Sequence, residues 1–213
     1  MNPLNSNYKR MVGEYPSFSQ AGQDLFVRAM LNFKLHGIYV DIGGSDPIVA
    51  SNTFILEDSY CWKGVSFDID PVMVGLFRES RKNACILADA TIFDYAEYFK
   101  ANEYPRQLDY LSIDIDPAEA TYKALLRLPL QEYRFSVITY EHDNYTTGPR
   151  MMNESRKYLH ELGYQRVISN VLTRGRDFED WYVDPTVIGR SIFEPYLAQN
   201  IESLDFLSQN LLK

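Results

Sequence analysis

The chain has 213 residues, room for one domain with a full core, and its 21 Lys and Arg against 29 Asp and Glu leave a net charge of −8. With a pI near 4.9, neutralising a nucleic-acid backbone is excluded as its expected task. Hydrophobic residues at 46% and charged residues at 23% exclude a disordered or fibrous chain.

No apolar run approaches the ~20 residues of a bilayer span, and the start, residues 1–15, is polar. Cys61 and Cys85 lack metal-ligand spacing. The expectation is a cytoplasmic chain in a reducing compartment, with neither membrane nor nucleic acid as partner.

Apolar runs and amphipathic stretches alternate, which is the rhythm of βαβ units. Leu25, Phe26, Ala29, Met30 and Phe33 stripe a helix over 23–33, which ends before Gly37. Residues 37–42 form a first strand, 43–47 a turn and 52–60 a helix. A second strand covers 64–70, and Pro71 suits the first turn of a helix over 72–82. A third strand at 84–88 precedes a short helix at 93–101. The fourth strand, 109–114, leads through Pro117 into a helix over 118–126. A fifth strand at 135–140 precedes a helix over 151–162, capped by Gly163.

Two β-rich runs follow, 165–171 and 180–183, separated by a loop at 172–179. That loop is too short for a crossover helix, so the pair is predicted to run antiparallel. The tail, 192–213, has the spacing of an amphipathic helix. The predicted fold class is α/β: one domain over 1–213 with an N-terminal extension (1–16) and a C-terminal helical tail (190–213). Its sheet is Rossmann-like and mostly parallel, with seven strands, a C-terminal antiparallel strand pair and helices on both faces. Ligands of such sheets bind beyond the carboxyl ends of the strands.

Each parallel strand is expected to end in an acid: Asp41, Asp68, Asp89, Asp114 and Glu141. Capping of the next helix explains any one of them. A row of five along one rim suits a cationic ligand instead. Gly43 and Gly44 allow close backbone approach to that ligand, and no G-x-G-x-x-G is present. Asn52 either contacts a ligand or starts a helix.

A second cluster, Asp114, Asp116, Glu141, His142 and Asp143, closes strands four and five. Carboxylates with a neutral imidazole suit Mg²⁺ or Mn²⁺. His142 is alternatively a general base, since imidazole titrates near neutrality, or a residue held in a turn. His36 and His160, at helix ends, are structural. Arg174-Gly-Arg176 interrupts the acidic pattern, as a solvated hairpin tip or a site for an anionic substrate group. Trp181 and Tyr182 alternate within a strand and point to opposite faces.

The segments Ser19-Gln-Ala-Gly-Gln-Asp-Leu25, Gly37-Ile-Tyr-Val-Asp-Ile-Gly43, Ser51-Asn-Thr-Phe-Ile-Leu-Glu57 and Leu108-Asp-Tyr-Leu-Ser-Ile-Asp114 are similar in order and spacing to the FkbM-type methyltransferases. Tyr39-Val-Asp-Ile-Gly-Gly-Ser-Asp46 also resembles the glycine-rich loop of the class I superfamily that contains them. The likeness runs from about Ser17 to Pro185, and departs from the family at Pro117, where glycine is usual.

This resemblance implies a methyltransferase that uses S-adenosyl-L-methionine. Asp41, Gly43, Gly44 and Asn52 would lie at its amino-acid end, Asp68 at the ribose, Asp89 and Ala90 at the adenine, and Asp114 beside them. It further implies O-methylation of a sugar or other small hydroxylated metabolite. Either His142 or Asp116 would take the acceptor's proton, or Asp114, Glu141 and His142 would hold Mg²⁺ or Mn²⁺. A homo-oligomer is compatible with the same reading. Two rivals are a nucleotide- or nucleotide-sugar-binding enzyme on a similar sheet, and a non-catalytic binding protein. The missing G-x-G-x-x-G opposes the first, and the acid at every strand end opposes the second.

Overall fold

The computed structural model describes residues 9–211. The N-terminal extension, of which 1–8 lies outside the described residues, carries a hairpin of β1 (Arg10–Val12) and β2 (Tyr15–Ser17) that its polar sequence had not signalled. The chain continues through α1 (Gln23–Met30), β3 (Ile38–Ile42), α2 (Phe54–Tyr60), β4 (Lys63–Asp68), α3 (Pro71–Ser80) and β5 (Ala84–Leu87). Next come α4 (Tyr95–Ala101), β6 (Gln107–Ile113), α5 (Ala118–Arg127), β7 (Arg134–Glu141), α6 (Asn144–Thr147) and α7 (Pro149–Glu161). Then follow β8 (Gln165–Thr173), β9 (Arg176–Val183), α8 (Arg190–Phe193), β10 (Ala198–Glu202) and α9 (Ser203–Leu211).

The main sheet has eight strands in the order β10-β8-β9-β7-β6-β3-β4-β5, and only β9 is reversed. The βαβ reading of the first five strands holds, as does the antiparallel pairing of β8 with β9. Two expectations are corrected. The loop at 172–179 is absorbed into that pair, whose turn is Arg174-Gly175, with φ of 52° and 75°. Left-handed φ at both central residues is the tight-hairpin geometry that matches strand twist.

The tail is not one helix. Residues 198–202 add β10 parallel to β8, with Ile201 opposite Val171, before α9 begins. The open edge of β8 offers unpaired amides and carbonyls that outweigh the weak helical periodicity of a short polar segment. Asn170 and Asn200 both adopt left-handed φ where this pairing is irregular, and the Asn170 side-chain amide donates to Asn200 Oδ1 at 2.7 Å. Asparagine tolerates that backbone region better than most residues.

Apolar side chains fill both faces. Leu25, Phe26, Met30, Tyr39, Trp62 and Trp181 form one core, while Phe67, Phe99, Leu111, Leu125, Tyr140 and Tyr182 form the other. Trp181 and Tyr182 thus point to opposite faces, and both are buried. Much of the aromatic excess is packing: Phe67, Phe93, Tyr95, Tyr98, Phe99 and Tyr104 form a continuous run of ring contacts around α4.

Candidate functional site

From β3 the sheet grows one way through β4 and β5 and the other way through β6 and β7. The carboxyl ends of β3 and β6 therefore flank a topological switch point, where crossover helices diverge and leave a crevice. A cavity of about 650 Å³ opens there, with Gly43, Asp68, Asp89, Ala90, Asp114 and Asp116 on its wall. Glu119 adds another acid, and Lys123 is its one basic residue.

Gly43 has φ +87°, and a Cβ there would overlap the Asp114 carbonyl oxygen. The Asp114 N–H donates to Ile42 O at 2.9 Å, so the turns after β3 and β6 pack backbone to backbone. Gly43 is required by that approach as well as lying on the cavity. Gly44 does not line it; a Cβ there would press on the Phe77 ring at 3.0 Å.

Asp68 is held by two amides, with Ser45 N–H donating to Oδ2 at 2.7 Å and Asp70 N–H to Oδ1 at 2.8 Å. Each oxygen keeps a lone pair for a ligand. Asp89 accepts from the amide and the hydroxyl of Thr91, which hold its carboxyl below the usual range. Ala90 is buried, and its carbonyl accepts from the Tyr95 hydroxyl at 3.1 Å.

Asp41 departs from the expected row. It lies inside β3, buried, and accepts from Thr53 Oγ1 at 3.0 Å and Ser66 Oγ at 3.2 Å. Burial raises its carboxyl despite Arg81 and those hydroxyls. Asp41 therefore braces the loop after β3 and does not face the cavity. Asn52, on the same loop, donates through Nδ2 to Ser112 Oγ at 3.1 Å, while its buried Oδ1 has no partner. Leaving an acceptor buried and unpaired is costly, so a donor from a ligand fits that position.

Sequence reasoning missed Arg81, the buried hub of this loop. It donates to Pro47 O at 2.8 Å, the Tyr39 hydroxyl at 3.0 Å, Thr53 Oγ1 at 3.2 Å and Glu57 Oε2 at 2.9 Å. Nothing in its local sequence, just past α3, distinguishes it from a solvated arginine.

Beyond the cavity, the second cluster assembles in part. Glu141 lies within hydrogen-bonding reach of Asp114 and Asp143, and burial followed by their mutual repulsion raises all three carboxyls. Protein encloses Asp114 on most sides, yet solvent still reaches it along the cavity. Asp143 is buried, and its Oδ1 has no partner. Like charges this close share protons instead of all ionising.

His142 is not brought to this cluster. Its ring is fully buried, with Nδ1 accepting from the Asn144 amide at 3.2 Å and Nε2 lying 3.5 Å from Asp180 Oδ1. β7 ends at Glu141, and the chain turns directly after it: the His142 and Asp143 N–H groups both donate to Phe178 O, and Asp143 has φ +45°, which leaves the His142 ring facing Asp180. Burial alone would raise Asp180, but His142 and the Arg156 guanidinium, 2.6 Å away, hold it well below the usual carboxylate range. The expected Mg²⁺ or Mn²⁺ set of Asp114, Glu141 and His142 is thereby corrected. Among the described residues no three His, Cys, Asp or Glu side chains are placed to hold a metal ion. Asp116 is exposed at the cavity rim.

Glu179 was also missed. It is buried opposite Glu141 in the β7–β9 pair, accepting from Gln23 Nε2 and Trp181 Nε1, both at 2.8 Å. Burial pushes its carboxyl up to about 8. Asp24 gathers Ser17 Oγ, Ser19 Oγ and the Phe18 amide. The Ser19–Leu25 segment thus ties the β1–β2 hairpin to α1, and its Gln23 reaches the sheet beside the second cluster.

The fold is that of the class I, Rossmann-like methyltransferases. The chain superposes on a protein assigned as an rRNA methylase from Clostridium thermocellum with a TM-score of 0.53, at 13% identity, over 78% of this chain and 95% of that one. It also superposes on the N-methyltransferase NodS from Bradyrhizobium japonicum WM9 with a TM-score of 0.50, at 10% identity, over 76% and 94%. A third is the S. pombe Dnmt2 methyltransferase, at 0.50 and 12% identity, over 70% and 49%. No family model and no curated protein matches the chain.

Proposed function

We propose that the chain is an S-adenosyl-L-methionine-dependent methyltransferase that acts on a hydroxyl of a small molecule. The observation that carries this reading is the acid-lined cavity at the switch point of a class I sheet, with the Asp68 carboxylate fixed by two amides at its edge. The cofactor supplies an electrophilic methyl group.

Asp68 accepts from vicinal ribose hydroxyls, a role that needs a carboxylate already oriented. Ile69 is 71% exposed on the cavity wall and Ile115 is half-buried there, apolar surface that suits a flat base. The unpartnered Asn52 Oδ1 and the Asp114 carboxylate suit an ammonium group. Asp143 Oδ1, unpartnered beside Glu141, takes the acceptor's proton in place of His142, whose ring faces Asp180. Carboxyls whose pKa values are raised together share protons among themselves, which suits one of them to take up the acceptor's proton. The resemblance to FkbM-type enzymes supports the hydroxyl of a small molecule as acceptor.

Calorimetric titration with S-adenosylhomocysteine tests this reading. The wild-type chain should bind, and Asp68→Ala should weaken binding at least about tenfold, the loss of a bidentate contact, with its circular dichroism unchanged. A wild-type chain that binds neither S-adenosylhomocysteine nor S-adenosylmethionine overturns it.

A further inference from the structure

A second cavity, of about 880 Å³, opens on the same edge of the sheet. Its wall includes Val49 and Ala50, from the loop that carries Asn52, and Tyr145, which follows the Asp143 turn. It therefore borders the turn that follows the carboxylate cluster. Its electrical character is reversed: Arg10, Arg174 and Arg176 face it, with Glu202 and Asp205 as its acids.

In a chain of net charge −8, three arginines around one cavity call for counter-charges. Among the described residues none of the three forms a salt bridge, whereas Arg28, Arg81, Arg134 and Arg156 all do. Glu202 accepts from the Gly175 amide at 3.0 Å, and with Asp205 it offsets two of the three positive charges, which leaves one in excess at the cavity. Arg10 is oriented by the Gln20 carbonyl at 3.0 Å, and the Arg176 guanidinium lies over the Tyr145 ring, 5.4 Å from its centroid.

Arg174 adds a separate observation. It holds φ +52° at the first central position of the β8–β9 turn, where asparagine, aspartate or glycine is easier to accommodate. The turn therefore carries the Arg174 side chain at the exposed hairpin tip, beside the cavity.

We infer that this cavity binds the oxyanion of the methyl acceptor, a carboxylate or phosphate gripped by Arg10, Arg174 and Arg176. Guanidinium forks match both oxyanions bidentately. The inference rests on the methyltransferase reading for what the bound molecule is, but anion binding itself does not require the cofactor. The anionic end would lie at the hairpin tip and the hydroxyl end toward Tyr145 and Asp143. This is how an acidic chain can take a negatively charged acceptor without repelling it from the carboxylates that handle its proton.

The test is titration calorimetry of the full chain with inorganic phosphate and with succinate, at ionic strength matched by sodium chloride. Saturable binding of at least one probe is expected, with a loss of about tenfold or more in Arg174→Gln/Arg176→Gln, whose melting temperature and S-adenosylhomocysteine affinity should stay at wild-type values. Preference between the probes identifies the oxyanion. Absence of saturable binding, or binding indifferent to the double substitution, overturns the inference. So does arginine-dependent binding of an RNA oligonucleotide with neither small anion bound. Phosphate or succinate binding without S-adenosylhomocysteine binding would sink the methyltransferase reading and leave the anion site standing.

Discussion

Glu179 shows how much a single side chain can be set by its surroundings. Its carboxyl has an ordinary value of 4.5 and is pushed up to about 8 by burial, with the Gln23 and Trp181 donors only partly offsetting that. Between those values the folded chain keeps a proton that the unfolded chain has released. The stability from this group is thus fully present below about 4.5 and is lost as pH rises toward 8, at up to about 1.4 kcal/mol per unit. Urea unfolding of wild type and Glu179→Gln isolates the effect. The variant should gain on wild type steadily between about pH 5 and pH 8, since it has no charge to bury; parallel curves would refute the assignment. No sequence cue marks this residue, because the neighbours that bury it come from α1 and β7. The same holds for Arg81, whose partners come from β3, the loop after it and α2 with its N-cap. Gly43 was legible only as a place where the chain needs room: a ligand was expected there, and the structure sets the Asp114 carbonyl against it.

Elements built from local periodicity were legible, and elements built by pairing were not. The helices α1, α3, α5 and α7 follow apolar stripes or proline and glycine punctuation, and each lies within a few residues of its expected span. β10 has neither signal; it exists because the β8 edge is there to receive it. The chain then turns into α9, where the Ser203 hydroxyl donates to the Ala21 carbonyl and Leu207 is completely buried. Gly22 makes room for this docking, since a Cβ there would meet Leu207 Cδ1 at 2.9 Å. Leu207→Ala should therefore cost about 3 kcal/mol, the usual price of a leucine-sized cavity, in chemical denaturation. A loss under about 0.5 kcal/mol, the scale of surface changes, would show that α9 does not anchor the tail. Exposed Leu197→Ala, at 47% accessibility, serves as the control and should be near neutral.

Across the whole molecule, the alternation of strands and helices made a mostly parallel sheet legible, because parallel strands must be joined by crossovers, while the order of its strands is known only from the structure. The same logic placed Asp68, Asp89 and Asp114 on one cavity, while the turn directly after β7 removed His142 from it. Charge is the property that neither composition nor strand order resolves. The net −8 is distributed unevenly: acids concentrate at the switch-point cavity, and unpaired arginines at its neighbour.

This segregation has a measurable consequence for the proposed cofactor. S-adenosylmethionine carries a sulfonium charge that S-adenosylhomocysteine lacks, so an acidic wall attracts the first more than the second. Raising salt from 0.1 M to 1 M shortens the screening length from about 10 Å to about 3 Å. Because the cavity is open to solvent at Asp116 and Asp114, screening ions can reach it. The affinity of S-adenosylmethionine should therefore fall several-fold relative to that of S-adenosylhomocysteine over this range, in paired calorimetric titrations. Arg174→Gln/Arg176→Gln should leave that ratio untouched, since its charges belong to the other cavity. Equal salt sensitivity of the two ligands would mean that the carboxylates of the wall are neutralised or turned away from the sulfonium. The reason for the acids would then lie in hydrogen bonding to the ribose and the amine, through Asp68 and Asp114, and not in attraction of a cation.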